Sequence, residues 1–209
     1  MSTSKVLEEA KSIAEKISIF NQSDENPYDQ ISKKILDKSI KHIVTIARGT
    51  SDCAALYTSY LIAKALGLTT YSLPPSIITL ENSNFDFSNT LVLVISQSGL
   101  SEDLIQCEKA SRIMGAETLI LTNNLNSPMI KNANYFFNIN AGKEVSVAAT
   151  KSFILSLLNI IKLVAIIKND KEILNNILQL PEHLNEELNN PWEEELIDKN
   201  ISTGFIISR

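Results

Sequence analysis

The sequence predicts an α/β fold built on a doubly wound, five-stranded parallel sheet. Three observations carry that expectation. Short β-branched runs alternate with longer helical patterns, one run is apolar at every position, and the turns after the first and third runs are rich in hydroxyls. Strand–helix alternation is the pattern of consecutive βαβ units, whose crossover helices cover both faces of a sheet.

The elements follow in order. Val6, Leu7, Ala10, Ile13, Ala14 and Ile17 recur at helical spacing, and Tyr28, Ile31, Ile35 and Leu36 repeat the pattern after Pro27, so residues 1–41 read as amphipathic helices. Strands are expected near 43–47, 70–73, 90–95, 117–121 and 135–139, and helices near 51–66, 101–114, 127–132 and 147–168. The run Leu91-Val92-Leu93-Val94-Ile95 is apolar throughout, as a central strand buried on both faces requires. Five such strands predict the flavodoxin-like order 2-1-3-4-5, which reverses direction between the first and third strands and opens a crevice at their carboxyl ends. Arg48-Gly49-Thr50-Ser51 and Ser96-Gln97-Ser98-Gly99 leave those two ends and would face each other there. The main module is expected over 42–168 and a polar helical linker over 169–203, with a short helix beginning at Pro191-Trp192. Gly204-Phe205-Ile206-Ile207-Ser208-Arg209 repeats the character of Ile43-Val44-Thr45-Ile46-Ala47-Arg48, so 204–209 reads as the first strand of a truncated second module.

Composition excludes several classes of partner. The chain has 209 residues, 44% of them hydrophobic and 21% charged, enough for a sizeable core with appendages. A net charge of −5 without a basic tract offers no footprint for nucleic acid and no attraction to anionic membranes. The first twenty residues carry Glu8, Glu9 and Glu15 and lack a continuous apolar run, unlike a secretory signal. The most apolar stretch, 153–167, is interrupted by Asn159 and Lys162 and is shorter than the ~18 residues of a membrane span. It reads as a buried helix and the protein as cytoplasmic. Cys53 and Cys107 lie in helical patterns, read as small buried thiols, and suggest neither a disulfide framework nor a metal site. No cofactor and no metal are called for.

The hydroxyl-rich turns carry the chemistry. A phosphate requires converging donors, and a helix amino terminus supplies unpaired N–H groups with the positive end of the helix dipole. Ser96, Gln97, Ser98 and Ser101 add side-chain donors where Gly99 lets the backbone approach closely. The loop has neither the lysine of a Walker P-loop nor the three glycines of a dinucleotide fingerprint, so it suits a monoester phosphate held by neutral hydrogen bonds. The plainer reading is that Ser101, and likewise Thr50 or Ser51, only cap helices. Asp52 in the first turn of the next helix complements its dipole, and Arg48 either reaches a ligand or pairs with an acidic neighbour. In Ala141-Gly142-Lys143-Glu144-Val145-Ser146-Val147-Ala148-Ala149-Thr150-Lys151-Ser152 a turn enters a helix with small residues at its start. Glu144 and Lys151 there form either an acid/base pair or a dipole or interface group. His42 and His183 read as surface residues, which leaves Glu144 as the one weak candidate for a catalytic base.

Residues 43–167 resemble the sugar isomerase (SIS) domain. Within that family they are similar to the first of two tandem copies in glucosamine-6-phosphate synthases and related glucosamine-6-phosphate deaminases. Gly49-Thr50-Ser51, Ser96-Gln97-Ser98-Gly99 and the Gly142-Lys143-Glu144 to Phe153 stretch stand in the family's order and spacing. The resemblance implies that Ser51, Ser96, Gln97, Ser98 and Ser101 hold a phosphate, while Thr50 and the backbone near Val147 contact the sugar. Ala149 departs from the synthase, which has serine there, and the chain carries no glutaminase domain with its amino-terminal cysteine. In the family the second copy supplies the glutamate and histidine that shuttle the proton between C1 and C2.

The leading expectation is therefore a phosphosugar-binding half of an isomerase, aminotransferase or deaminase acting on fructose 6-phosphate and glucosamine 6-phosphate, with the catalytic half missing or supplied as a separate second SIS module. A non-catalytic sugar-phosphate sensor is the alternative, and a flavodoxin-type flavin or nucleotide carrier is third. A homodimer is expected as well, because Phe153, Ile154, Leu157, Leu158, Ile161 and Val164 form more apolar surface than one sheet face need cover.

Overall fold

The computed structural model describes residues 5–23, 26–145 and 149–189. The expectations for 190–209, including the Pro191-Trp192 helix and the strand at 204–209, lie outside them.

Five parallel strands form one sheet: β1 (His42–Ala47), β2 (Thr69–Ser72), β3 (Thr90–Ser96), β4 (Glu117–Thr122) and β5 (Tyr135–Asn138). Their order is β2-β1-β3-β4-β5, as expected from the sequence. All seven residues of β3 are buried, which explains its unbroken apolar run, whereas edge strands β2 and β5 alternate between more and less covered positions. Side chains alternate across the pleat to build two cores. Ile43, Leu91, Leu93, Ile95, Leu119, Leu121 and Phe137 face one way, and Val44, Ile46, Val92, Val94 and Ile120 the other.

The first core is closed by α3 (Tyr28–Leu36), α4 (Thr50–Leu66) and α7 (Lys151–Lys168), and the second by α5 (Pro75–Thr79) and α6 (Glu102–Ile113). Two further helices, α1 (Lys5–Lys11) and α2 (Ile13–Gln22), stand where one amphipathic pattern was read, and α8 (Lys171–Asn189) follows α7. The segment expected as a helix near 127–132 is a single 3₁₀ turn, Pro128–Lys131, entered by Ser127, whose hydroxyl accepts the Met129 N–H at 3.3 Å. Helix α5 was not expected at all. It begins at Pro75, whose fixed φ suits the first helical position even though a Pro-Pro pair reads as a turn.

The amino-terminal helices are joined to the sheet by a buried polar network. Asn159 of α7 accepts at Oδ1 from the Tyr28 hydroxyl and from Asn26 Nδ2, both at 2.7 Å, while Asn26 Oδ1 accepts the Asn138 N–H at 2.9 Å. Mutual satisfaction is what makes such a cluster tolerable in a core. It also explains why Asn159, which interrupts the apolar run of α7, is fully buried.

The surface expected to pair two copies is largely covered within the chain. Leu158 and Val164 are buried, and Phe153, Ile154, Leu157 and Ile161 pack partly buried against the same core, with α2, α3, α4 and α8 all touching α7. Exposed large apolar residues are spread over the described surface, and three of them, Leu56, Tyr57 and Tyr60, lie close together on α4.

Candidate functional site

Ala47 and Ile95 are paired across β1 and β3, so the chain leaves both strands side by side at the carboxyl edge of the sheet. The first exit is Arg48-Gly49. Arg48 pairs with an acidic neighbour: its Nη1 lies 2.8 Å from Asp103 Oδ2 in the first turn of α6, a link between the two exits. The guanidinium side is well exposed, so the pair adds little to stability and serves to relate the loops. Gly49 takes the N-cap position of α4 at φ +58°, a backbone conformation that glycine adopts freely. Helix α4 therefore starts one residue earlier than a Thr50 cap and two earlier than a Ser51 cap would allow, and among its described bonds no side chain caps it. Thr50 is exposed and Ser51 half-buried in that first turn, with Asp52 beside them, as expected of a dipole-complementing carboxylate.

The second exit is shaped by residues that the sequence reading passed over. The carbonyl of Gln97 accepts from the Asn123 N–H at 3.2 Å and from Thr122 Oγ1 at 3.3 Å. The carbonyl of Ser98 accepts from Asn124 Nδ2 at 2.8 Å, and that of Gly99 from Ser127 Oγ at 2.7 Å. Three successive carbonyls are thus turned towards the chain that follows β4. A planar trans peptide carries its N–H opposite its C=O, so the amides of Ser98, Gly99 and Leu100 turn the other way. Two of them meet hydroxyl oxygens, Gly99 N–H at Ser96 Oγ (3.2 Å) and Leu100 N–H at Ser98 Oγ (3.3 Å). Ser96 and Ser98 accept in these bonds, and each hydroxyl keeps its own proton to donate. Ser96 is buried, Gln97 half-buried and Ser98 exposed. Ser101 occupies the N-cap of α6, yet its side chain makes no capping bond, contrary to the plainer reading of that residue. The amino ends of two helices, 17 and 12 residues long, open beside this array, a donor-rich arrangement suited to an anion.

A third segment approaches from beyond β5. Asn123 Oδ1 accepts the Ala141 N–H, and its Nδ2 donates to the Gly142 carbonyl, each at 2.7 Å. The Val145 N–H donates to the Glu9 carboxylate of α1 at 2.6 Å, so the amino-terminal helices help to hold this segment. Glu144 accepts from the N–H and hydroxyl of Thr150 (3.0 and 3.1 Å), from the Ser152 N–H (3.2 Å) and from the Ser152 hydroxyl. From outside the helix, whose N-cap position is Thr150, its carboxylate satisfies N–H groups at the start of α7. Burial pushes its carboxyl upward, but the bonds from Ser152 and Thr150 outweigh burial and hold it below the ordinary value. Lys151, almost wholly buried, donates to the Lys143 carbonyl at 2.8 Å, so the geometry corrects the acid/base pairing of Glu144 with Lys151. Helix α7 starts at Lys151, later than the expected 147, and Val147 lies outside the described residues.

The remaining candidates fall away from this edge. His42 opens β1 and His183 lies on α8, both exposed. Cys107 is buried on α6, where desolvation and the nearby Asp103 charge push its thiol up to about 12, so it is unreactive. Cys53 is exposed on α4, against the expectation of a buried thiol. Among the described residues no group of three or more His, Cys, Asp or Glu could hold a metal ion, and no helix is long and apolar enough to cross a membrane.

Glutamine–fructose-6-phosphate aminotransferase (isomerizing) from Sulfolobus acidocaldarius is 36% identical over 144 residues, which are 68% of this chain and 24% of that protein. The chain spans about a quarter of the length of the curated relatives it matches. A candidate phosphosugar isomerase from Silicibacter pomeroyi superposes with a TM-score of 0.81 at 29% identity, over 87% of this chain and 56% of that one. The C-terminal domain of glucosamine-fructose-6-phosphate aminotransferase from Francisella tularensis shares the fold, with a TM-score of 0.69 at 24% identity over 88% of this chain and 54% of that one. The match extends from the first strand to the end of α7, the span that carries all three loop segments: the SIS domain model covers residues 37–166, and the chain belongs to the SIS domain family.

Proposed function

We propose that this chain is a phosphosugar-binding module that holds a hexose 6-phosphate at the carboxyl edge of β1 and β3. One observation carries the reading: the carbonyls of Gln97, Ser98 and Gly99 are drawn towards β4, which leaves the Ser98 N–H and the hydroxyl protons of Ser96 and Ser98 as donors on the opposite side of the loop. Ser51, Ser96, Gln97, Ser98 and Ser101 would hold the phosphate, with Gly49 and Gly99 shaping the two turns. Thr50 and Val147 would meet the sugar. With Arg48 engaged by Asp103, recognition rests on neutral donors and helix dipoles, which suits a monoester and no metal. The similarity to an aminotransferase acting with fructose 6-phosphate supports fructose 6-phosphate and glucosamine 6-phosphate as the ligands.

Within an isomerase, aminotransferase or deaminase this module would bind and orient substrate, while the base that moves the proton between C1 and C2 comes from a second SIS module. A non-catalytic sugar-phosphate sensor is the second reading, and in both readings Glu144 is not the base. Its carboxylate accepts four hydrogen bonds at the start of α7, three of them at Oε1, which hold it to the helix and give it a structural task there. Deuterium exchange at C1 and C2 of fructose 6-phosphate, followed by NMR in D₂O, tests the premise both readings share, that this chain supplies no base of its own. We expect binding without exchange from this chain; exchange above the buffer rate that Glu144→Gln abolishes would make the module a catalyst in its own right. A cytoplasmic setting and a homodimer complete the proposal.

A further inference from the structure

Asn123 and Asn124 are consecutive residues, and each ties down a different loop of the candidate site. Asn124 Nδ2 donates to the Ser98 carbonyl, and its Oδ1 accepts the Asn126 N–H at 3.0 Å, which fixes the orientation of the amide. Asn123 sends its side chain the other way, closing a two-bond ring with the Ala141 N–H and the Gly142 carbonyl. Its own backbone N–H donates to the Gln97 carbonyl, so this one residue bonds to both loops. Ala141 is fully buried and its N–H donates to Asn123 Oδ1, so the register of the 141–145 segment is set from the end of β4. Both asparagines are half-buried.

We infer that Asn123 and Asn124 are positioning residues that couple two recognition tasks, Asn124 setting the phosphate loop and Asn123 setting the 141–145 segment, which approaches the same edge of the sheet and would serve the sugar. The inference rests on the phosphosugar reading above. It goes beyond it by dividing the selection of phosphorylated sugars between two neighbouring amides that need not touch the ligand. The turn after β4 thereby becomes a specificity element: the same residue that anchors Gln97 also holds Gly142, so a phosphate seated on the loop finds the sugar segment already in register. Rigid support of this kind is what places binding groups to within a fraction of an ångström.

The test is a two-ligand comparison on the full chain, with affinities for inorganic phosphate and for sorbitol 6-phosphate measured by NMR titration of wild type, Asn124→Ala and Asn123→Ala. Losing one anchoring hydrogen bond is expected to weaken binding about five-fold. Asn124→Ala should weaken both ligands by a similar factor. Asn123→Ala should leave inorganic phosphate nearly unchanged and weaken sorbitol 6-phosphate, so the ratio of the two affinities falls. General loosening of the fold would move both ligands together and leave that ratio intact. Should Asn123→Ala fail to fold, Asn123→Ser, which keeps a short acceptor for the Ala141 N–H, is expected to show the same change of ratio to a smaller degree. Wild type that binds both ligands, with an unchanged ratio in the Asn123 variants, would overturn the coupling and leave the phosphosugar reading standing. Wild type that binds neither would overturn both.

Discussion

Ser127 sits directly against Gly99: its hydroxyl donates to the Gly99 carbonyl at 2.7 Å, and a Cβ added to the glycine would lie 2.6 Å from Ser127 Cβ. Thr122 Oγ1 would stand 2.8 Å away on the same side, and the glycine is at φ +63°. Backbone conformation and space both require glycine here. Gly99→Ala is expected to destabilise the fold by at least the ~1–2 kcal/mol that a left-handed alanine costs, with the overlap added. Urea denaturation measures it; an unchanged midpoint would mean that the phosphate loop tolerates movement and is not set by Ser127.

Glu144 predicts an acid-sensitive start to α7. Its folded-state carboxyl lies below the ordinary value of 4.5, so its contribution is present above that value and is lost as pH falls through the folded value. Glu144→Ala should cost about 1–2 kcal/mol near neutral pH, the range for loss of a helix cap. Thermal midpoints of wild type and variant should converge below pH 4.5. A constant gap across that window would assign the loss to packing and not to the ionised carboxylate.

The topology was legible because it follows from local signals. An all-apolar β3 can only be central, and right-handed crossovers around it leave few strand orders. The two hydroxyl loops were found for the same reason, since each directly follows a strand. Asn124 escaped notice because its partner Ser98 lies 26 positions away, and nothing local distinguishes it from an ordinary turn residue. A polar triplet, Thr122-Asn123-Asn124, at the carboxyl end of a strand beside the switch point was the available signal. Cys53 was misjudged because α4 presents small residues to the sheet, Ala54, Ala55, Thr58 and Ser59, and turns larger apolar ones outward. In its first turns the larger apolar residues therefore point away from the core, whereas Ile62, Leu61 and Leu66 further along pack on it.

That inverted face gives the next expectation. Leu56 and Tyr60 are 64% and 65% exposed on adjacent turns of α4, the helix whose amino end borders the candidate site. If SIS modules associate here, sedimentation should show concentration-dependent self-association that Leu56→Glu with Tyr60→Glu abolishes while the thermal midpoint holds. Association that survives the double change would move the interface elsewhere, and a monomer at every concentration would remove the homodimer from the proposal.

The central claim is that the loop after β3 holds the phosphate of a sugar phosphate. Calorimetric titration of the chain with sorbitol 6-phosphate, with sorbitol as control, tests it most directly. Wild type should bind the phosphorylated ligand alone, and Ser98→Ala should weaken that binding by ~1–2 kcal/mol, as expected for a lost hydrogen bond to a charged group. Unchanged affinity in a folded Ser98→Ala variant, or equal binding of sorbitol and sorbitol 6-phosphate, would contradict the account.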